Sequence, residues 1–473
     1  MNTKSLLSSP IFGYFGFVII SMWVLLETTG GLNNGDTFFH IRVGGEILSG
    51  NWKPWNMGHF NDMDHAEWVS TQWLSQVTLA FIVKMWGVKT LAYLWPVVTI
   101  LLLFSIYFIL SKYSFPVFGL VLTALFFFTQ SGWMSLRPQL FSYFFILLLT
   151  HVWMKAFRDK TIPWVTIPIM FIWPQLHGMW IAGLLNIFVL TFAWSLDKRF
   201  KGVQKLWLVA VLSFIATLLN PSGIKLLLGA VSLSSRATGG TWSEWAAPTY
   251  TDLAGATSFM VLAFAVLLFA KGKSHSWFTS AVLLLALMWG LWSLRSMPLS
   301  FLMFSLLIVY LLEEEYGLVA TTVNSRHKWG QLLVTGVVST VILSLLTIPT
   351  YSNRVAPEWF RDSLNEIPKG EVILTTPGIG NFALYARPDV NVFIHGYLDS
   401  LTEGEAQRNA DIINLREDWD KKLVKTGATI AYLEEGSQIT YALEDKGWTT
   451  TNRKMGIVRM IPPIGPPELL TEE

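Results

Sequence analysis

An acidic residue directly after the first apolar segment is the leading candidate for chemistry. Asp36 follows an apolar run at residues 11–28 and begins a helical pattern of Phe39, Val43 and Ile47. If that run crosses a membrane, a carboxylate at its surface can act as general base on an acceptor hydroxyl or bind a cation beside a lipid phosphate. The structural alternative is that Asp36 only caps the following helix.

Four further ionisable residues stand at the ends of apolar runs: Arg137, His177, Glu244 and Arg295. Ionisable groups at membrane depth are costly, and they usually face a protein interior or a watery cavity. The planar guanidinium of arginine is well suited to binding a phosphate through two parallel hydrogen bonds. The pattern therefore predicts a polar cavity, with snorkelling of each side chain to the interface as the alternative.

Aromatic residues could supply a sugar-binding surface. The chain contains 23 tryptophans, and Trp242 and Trp245 flank Glu244. Because sugars stack on tryptophan rings, these three residues are candidates for binding the acceptor or the sugar, and His40 is assigned to the same group. The alternative is that the tryptophans belong to interfacial belts.

A metal site is the weakest of the chemical hypotheses. Five polar residues crowd into nine positions: His59, Asp62, Asp64, His65 and Glu67. Oxygen and imidazole ligands at this density could hold Mg²⁺ or Mn²⁺, with Asp36, Asp64, His65 and Glu67 as the candidate ligands. No fixed ligand spacing is present, so a solvated polar turn is the alternative.

Composition identifies the scaffold that must position these residues. The 473 residues are 52% hydrophobic and only 14% charged, whereas a soluble domain has roughly 25% charged residues. The net charge of +2 gives no basic surface for nucleic acid, and the absence of cysteine excludes disulfides and thiolate sites. The composition indicates a polytopic α-helical membrane protein.

Eleven apolar runs are long enough to be predicted as spans, counted against about 20 residues per crossing. They lie at about 11–28, 90–110, 114–130, 138–157, 162–176, 178–196, 205–220, 256–270, 276–293, 297–312 and 329–348. Val69 to Trp86 carries several polar residues and is predicted as an interfacial amphipathic helix instead. With that choice the positive-inside rule places the basic clusters around residues 158 and 200 in the cytoplasm, so the polar candidates face the exterior.

Two regions do not span the membrane. Residues 30–89 form a long exterior loop with interfacial helices, which we include in a transmembrane domain at 1–350. Residues 351–473 have the composition of a soluble exterior domain, with predicted strands followed by helical patterns that indicate an α/β fold. The predicted strands are Glu371–Leu374, Phe382–Tyr385, Val392–Ile394, Ile430–Leu433 and Gly456–Met460, and the predicted helices lie at 404–425 and 437–446.

This arrangement resembles the C-type (GT-C) membrane glycosyltransferase superfamily, close to a bacterial set of glycosyltransferase-like membrane proteins. The resemblance covers nearly the whole chain and is carried by short motifs in a fixed order. They are Asp36-Thr-Phe-Phe-His40-Ile-Arg42-Val-Gly44, Glu67-Trp68, Gln72-Trp73-Leu74-Ser75, Arg137-Pro138-Gln139-Leu140-Phe141-Ser142-Tyr143, His177-Gly178, Leu219-Asn220-Pro221-x-Gly223, Glu244-Trp245 and Ser293-Leu294-Arg295.

The resemblance implies a mechanism. A polyprenyl-phosphate-linked sugar would enter between spans, Arg137, Arg295 and His177 would bind its phosphate, and Asp36 would serve as catalytic base or metal-proximal carboxylate. The implied partners are this lipid-linked donor, membrane lipid and an acceptor or protein partner, in a bacterial inner membrane with a periplasmic C-terminal domain. Two positions depart from the pattern, because relatives often have His-Glu at Thr71-Gln72 and an acidic residue at His395.

Two other functions remain open at this point. A non-catalytic subunit or scaffold could retain the fold and bind lipid or a partner complex. A transporter of lipid-linked glycans is a further alternative, although it would need polar residues deep in several spans, and the span centres here are largely apolar.

Overall fold

The computed structural model describes residues 10–28, 35–197, 200–237, 243–272, 275–316 and 358–463. The chain divides into two compact units that alternate along the sequence. The first unit comprises Met1–Gly31, Val88–Ile224 and Trp242–Ser352, and the second comprises Leu32–Gly87, Lys225–Thr241 and Asn353–Glu473. The loop that we predicted as part of the membrane domain is thus grouped with the C-terminal region.

The first unit is built from α-helices at nearly all of the predicted spans. They are α1 (Pro10–Thr28), α4 (Leu91–Leu110), α5 (Pro116–Gln130), α6 (Gln139–Asp159), α7 (Thr166–Leu176), α8 (Trp180–Ser195), α9 (Val203–Leu218), α11 (Leu253–Lys271), α12 (Trp277–Trp292) and α13 (Met297–Tyr316). The eleventh predicted span, at 329–348, lies outside the described residues.

Five helical segments of the described chain are long and apolar enough to cross a membrane. They are Val88–Leu110, Pro116–Trp133, Gln139–Asp159, Leu253–Lys271 and Leu294–Glu314. The other apolar helical segments have 10–17 residues, and they are Phe15–Glu27 within α1, Thr166–Leu176, Trp180–Ser195, Val203–Leu218 and Trp277–Trp292. The protein is therefore a helical membrane protein, while the count of eleven spans stays a prediction.

Local sequence signals set the ends of these helices. The Asp252 side chain accepts a hydrogen bond from the Gly255 backbone N–H at 2.6 Å and so caps α11. Ser276 and Thr279 form a capping box at the start of α12. Helix α13 packs against α4, α5, α6, α11 and α12. Most of the apolar segment Leu294–Glu314, which contains most of α13, is buried inside the protein. Helix α13 is therefore at the centre of this unit.

The second unit combines the loop helices with a small α/β fold. Helices α2 (Asp36–Leu48) and α3 (Trp73–Trp86) confirm the helical patterns predicted for the loop. Helix α2 packs against α3 and against α15 (Pro377–Ala386). The Phe38 and Phe382 rings meet edge to face with their centroids 4.9 Å apart. The apolar face of α2 is therefore buried within this unit by protein contacts.

The C-terminal fold contains a five-stranded mixed sheet. Its strands are β1 (Val372–Thr375), β2 (Asn391–Val392), β3 (Ile430–Glu434), β4 (Thr449–Lys454) and β5 (Ile457–Ile461), in the spatial order β2-β1-β3-β5-β4. Strand β1 is parallel to β2 and β3, and β5 is antiparallel to β3 and β4. The other helices of this unit are α10 (Ile224–Ala237), which begins at the last residue of the first unit, α14 (Glu358–Asn365), α16 (Glu403–Ile413), α17 (Trp419–Val424) and α18 (Gln438–Asp445).

In this domain one predicted strand is wrong and one observed strand was not predicted. The predicted strand Phe382–Tyr385 lies inside α15, because Pro377 favours a helix start and Ile379, Phe382 and Ala383 bury one helical face. The polar strand β4 was missed because it shows no apolar alternation. Its pairing with β5 follows from a two-residue turn at Met455 and Gly456, both with positive φ, which suits a hairpin.

Candidate functional site

In the first unit, two arginines share one carboxylate. Arg137 Nη1 donates a hydrogen bond to Glu244 Oε1 at 2.9 Å, and Arg295 Nη1 lies 3.7 Å from Glu244 Oε2. Each carboxylate oxygen therefore faces a different guanidinium. The side chain of Arg137 is only 6% exposed, whereas that of Glu244 is 33% exposed. The predicted convergence of Arg137, Glu244 and Arg295 is thus observed within this unit.

Short 3₁₀ turns and the start of α6 hold this cluster. Arg137 lies two residues before the first residue of α6, and its Nε donates to Ser135 Oγ at 2.8 Å. Glu244 lies on the turn Ser243–Trp245, and Arg295 lies on the turn Leu294–Ser296. The two turns are joined because the Leu294 backbone N–H donates to the Ala246 carbonyl at 2.9 Å. Loop backbone, rather than a single helix, therefore sets the spacing of the charges.

The electrostatics of the cluster favour the ionised carboxylate. Burial by itself would raise the pKa of Glu244, but the positive charges of Arg295 and Arg137 outweigh it and lower the pKa below its usual value. The three side chains then carry a net charge of +1. A site with two guanidinium groups and a surplus positive charge can bind an anion.

Two buried polar atoms beside the cluster lack hydrogen-bond partners among the residues that the structure describes. They are the hydroxyl oxygen of Tyr143 and Nε of Arg295. Tyr143 is fully buried on α6, and the charges of Arg137, Arg295 and Glu244 all act on its hydroxyl. Buried polar groups are normally hydrogen-bonded, so these two atoms are left to bond a ligand that reaches the cluster.

Two other candidates of this unit, His177 and Trp245, also have defined partners. His177 is buried, and its Nδ1 lies 2.7 Å from Ser142 Oγ, which also accepts a hydrogen bond from Trp173 Nε1. The Arg295 guanidinium lies over the Trp245 ring at 5.4 Å, so Trp245 stacks on an arginine in this structure. Trp242 lies outside the described residues. The predicted roles of His177 and Trp242 stay predictions.

In the second unit, Asp36 is held by the C-terminal α/β fold. Asn381 Nδ2 donates a hydrogen bond to Asp36 Oδ1 at 2.7 Å, and Asn381 Oδ1 accepts one from the Gly396 backbone N–H at 2.9 Å. Asn381 is 1% exposed on α15. Asp36 is the first residue of α2, whose N-cap is Gly35 and not Asp36. The carboxylate is thus held by a residue 345 positions away in the sequence.

We expect Gly396→Ala to disturb this arrangement. A methyl group at position 396 would lie 2.7 Å from Asn381 Nδ2 and 3.4 Å from Asp36 Oδ1, so Asn381 must move. Overpacking of this kind costs about 1–3 kcal/mol. Thermal unfolding of the full chain should show a lower midpoint. The control is Gly404→Ala in α16, because an added Cβ there has no atom within 4 Å. Alanine favours the helical conformation more than glycine, so this variant should be slightly more stable than the wild type. Equal midpoints for both variants would contradict the expectation.

His40 lies on the buried face of α2, the helix that begins at Asp36. Its Nδ1 lies 3.3 Å from Gln76 Nε2, and Gln76 Oε1 accepts a hydrogen bond from Ser70 Oγ at 2.6 Å. His40 is 5% exposed. These contacts link α2 to α3, and the predicted role of His40 in binding an acceptor or sugar stays a prediction.

The predicted metal ligands do not form one group. Asp64 is buried and pairs with His395 Nε2 at 3.0 and 3.2 Å, His65 Nδ1 contacts Glu405 Oε1, and Glu67 is exposed. Among the residues that the structure describes, no three His, Asp or Glu side chains could hold a metal ion together. Asp36, Asp64, His65 and Glu67 therefore do not fit a Mg²⁺ or Mn²⁺ site, because Asp36, Asp64 and His65 each bind a different side chain.

Known structures share this architecture. The crystal structure of the Archaeoglobus fulgidus oligosaccharyltransferase in the apo form matches with a TM-score of 0.55 and 11% identity, over 89% of this chain and 70% of that one. This chain has the fold of the C-type glycosyltransferases. The same enzyme tethered to an acceptor peptide containing the NVT sequon matches with a TM-score of 0.52 and 10% identity, over 89% and 69% of the two chains.

A third C-type glycosyltransferase structure is more distant. ArnT from Cupriavidus metallidurans bound to undecaprenyl phosphate matches with a TM-score of 0.47 and 11% identity, over 94% of this chain and 97% of that one. No protein-family model and no curated protein sequence matches this chain. The similarity is therefore one of fold, and it confirms the resemblance found in the sequence at that level.

Sequence reasoning missed several residues that this C-type glycosyltransferase fold places at the candidate sites. Tyr143 stands inside an apolar span and gives no spacing signal. Asn381 is the one amide in an otherwise apolar stretch of α15. A buried amide needs a hydrogen-bond partner, so this position could have been recognised as a candidate from the sequence. His395 was noted only as a departure from the resembling proteins, and the structure shows it paired with Asp64.

The Glu244 pKa gives a pH prediction for this unit. Because the pKa is lowered by folding from its ordinary value of 4.5, the carboxylate stabilises the folded state fully above 4.5 and loses this effect as the pH falls through the lower folded value. The difference in unfolding midpoint between wild type and Glu244→Gln should therefore be largest at pH 7 and shrink below 4.5. A difference that grows on acidification would contradict this.

Proposed function

We propose that this protein is a membrane glycosyltransferase that moves a sugar from a polyprenyl-phosphate-linked donor to an acceptor on the exterior face of the membrane. The observation that carries the proposal is the Arg137–Glu244–Arg295 cluster, in a fold shared with an oligosaccharyltransferase. The paired guanidinium groups at the start of α6 match the requirement for a donor phosphate. A scaffold that binds no anion would not require them.

Arg137 and Arg295 are the residues assigned to the donor phosphate. In the transfer reaction the acceptor oxygen forms a bond to the anomeric carbon, the bond from that carbon to the phosphate oxygen breaks, and the phosphate leaves with the electron pair. The leaving group is already a weak base, so stabilising its charge matters more than protonating it. Preorganised guanidinium groups supply this stabilisation.

Asp36 is assigned as the base that takes the proton of the acceptor hydroxyl. Asn381 fixes one of its carboxylate oxygens through a hydrogen bond, which limits the orientations the carboxylate can adopt. A general base must be held within hydrogen-bond reach of the proton that it removes. That Asp36 and the two arginines act on one substrate stays part of the proposal.

The proposed orientation places the donor and the C-terminal α/β fold outside the cytoplasm. Supporting it, Lys155, Arg158 and Lys160 gather at the opposite end of α6 from Arg137. Arg158 pairs with Glu313 at 3.0 Å and Lys160 with Asp197 at 3.4 Å. By the positive-inside rule this end faces the cytoplasm, so the Arg137 end faces the exterior of a bacterial inner membrane.

The proposal is tested with the purified full chain in liposomes. A radiolabelled polyprenyl-phosphate sugar is supplied together with membrane extract as the source of acceptor, and release of free polyprenyl phosphate is measured alongside movement of the label. We expect both with the wild type. Absence of both, together with copurification of a stoichiometric protein partner, would support the scaffold instead.

A further inference from the structure

We propose that the Glu244 carboxylate occupies the place of the donor phosphate, and that the donor must displace it to bind. This inference rests on the proposed function, since it concerns the same arginine pair. It makes Glu244 a residue that controls entry of the lipid-linked substrate rather than a residue that binds the sugar.

The geometry of the carboxylate matches that of a phosphodiester. Glu244 presents two oxygens, one 2.9 Å from Arg137 Nη1 and the other 3.7 Å from Arg295 Nη1. A phosphodiester also presents two unesterified oxygens on one central atom and can bridge two guanidinium groups in the same way. The longer of the two distances shows that the carboxylate binds the second arginine less closely than the first.

The unpartnered atoms beside the cluster indicate what a larger anion would gain. The Tyr143 hydroxyl and Arg295 Nε are buried and have no hydrogen-bond partner among the residues that the structure describes. A phosphodiester carries two ester oxygens in addition to the two unesterified oxygens that correspond to those of a carboxylate. It can therefore accept hydrogen bonds from atoms that the Glu244 carboxylate leaves unsatisfied. Satisfying such buried donors favours the phosphate over the carboxylate.

Exposure identifies which member of the cluster can move. Arg137 is 6% exposed and is also held by Ser135, whereas 33% of the Glu244 side chain is exposed. The carboxylate can be rehydrated when it leaves, so its displacement does not strand a buried charge. The arginines, by contrast, would be left with surplus charge if no anion replaced Glu244. The structure thus shows the resting arrangement of an anion site.

The test compares binding of radiolabelled undecaprenyl phosphate to detergent-purified full-length variants. Glu244→Gln keeps the shape of the side chain and removes its negative charge. We expect it to bind undecaprenyl phosphate about tenfold more tightly than the wild type, which corresponds to about 1.4 kcal/mol. Tyr143→Phe, made in the Glu244→Gln background, should weaken binding severalfold because it removes only the hydroxyl. Binding of uncharged undecaprenol should not change.

A matched control and a second variant keep the result interpretable. Glu313→Gln is the same change at a carboxylate paired with Arg158 near the other end of α6, and it should bind like the wild type. If Glu244→Gln does not fold, Glu244→Asp withdraws the carboxylate by one methylene group and should also bind more tightly. Equal or weaker binding by the folded Glu244 variants would overturn the inference.

The failure of this inference can be told apart from failure of the proposed function. Suppose that Arg137→Ala and Arg295→Ala abolish undecaprenyl phosphate binding while Glu244→Gln does not tighten it. The two arginines then bind the donor phosphate, and displacement of Glu244 is ruled out. If both arginine variants bind like the wild type, the donor site itself is wrong.

Discussion

Replacing Asp36 by Asn should lower the rate of sugar transfer by about 10²–10⁴-fold, the usual contribution of a positioned general base. The amide has the size of the carboxylate but cannot take a proton from an acceptor hydroxyl. Asn381 can still pair with the new side chain, because one amide can donate to the oxygen of the other. We therefore expect the unfolding midpoint to change little. The measurement is the liposome transfer assay alongside thermal unfolding of the same preparation.

The matched control for this variant is Asp62→Asn. Asp62 is exposed in the same loop and lies outside the predicted catalytic and metal-binding residues. It should transfer sugar at the wild-type rate. A normal rate in Asp36→Asn would remove Asp36 from the mechanism, whereas equal losses in both variants would point to a general effect of charge in the loop.

Replacing His395 by Phe should destabilise the protein by about 3 kcal/mol, the upper part of the cost of leaving a buried hydrogen-bond acceptor unsatisfied, because this acceptor is a carboxylate. The side chains of His395 and Asp64 are both fully buried. The Tyr397 backbone N–H donates to His395 Nδ1 at 3.2 Å, so the ring proton lies on Nε2 and is donated to Asp64. Phenylalanine fills the space but leaves the carboxylate without this donor. Thermal unfolding of the full chain should show a markedly lower midpoint.

Two further variants separate the pair from the packing around it. His65→Phe is the same substitution at a histidine whose side chain is 68% exposed and paired with Glu405, so it should cost less than about 1 kcal/mol. The double variant Asp64→Leu with His395→Phe should recover much of the lost stability, because no buried charge remains. A double variant as unstable as His395→Phe alone would show that packing, rather than the hydrogen bond to Asp64, sets the loss of stability.

The sequence predicts the membrane helices well because a span is a local property. Each described helix of the first unit coincides with an apolar run long enough to read directly. Arg137, Glu244 and Arg295 are three of the four ionisable residues predicted to lie in one polar cavity, and they do lie together. The prediction was possible because ionisable groups at membrane depth are costly unless they face a protein interior or a watery cavity.

The partners within the second unit could not be foreseen because they depend on contacts between distant segments. Asp64 looks like a metal ligand beside its neighbours in the sequence, yet the fold pairs it with His395, 331 positions later. The run Phe382–Tyr385 reads as a strand by its apolar residues alone. The segment is a helix because its buried face packs against α2, where Phe382 contacts Phe38, and this contact cannot be read from the local sequence.

The close approach of two glycines has a consequence for biosynthesis. A Cβ atom on Gly35 would lie 2.1 Å from the Gly378 carbonyl oxygen, so the backbone before Asp36 rests directly on the start of α15. Asn381, which orients the carboxylate, is made 345 residues after Asp36. At about 5–20 residues per second, the ribosome needs on the order of tens of seconds to cover that interval. The nascent chain therefore inserts most of its helices before its acidic residue acquires the partner that fixes it, and a truncated translation product would carry Asp36 unoriented.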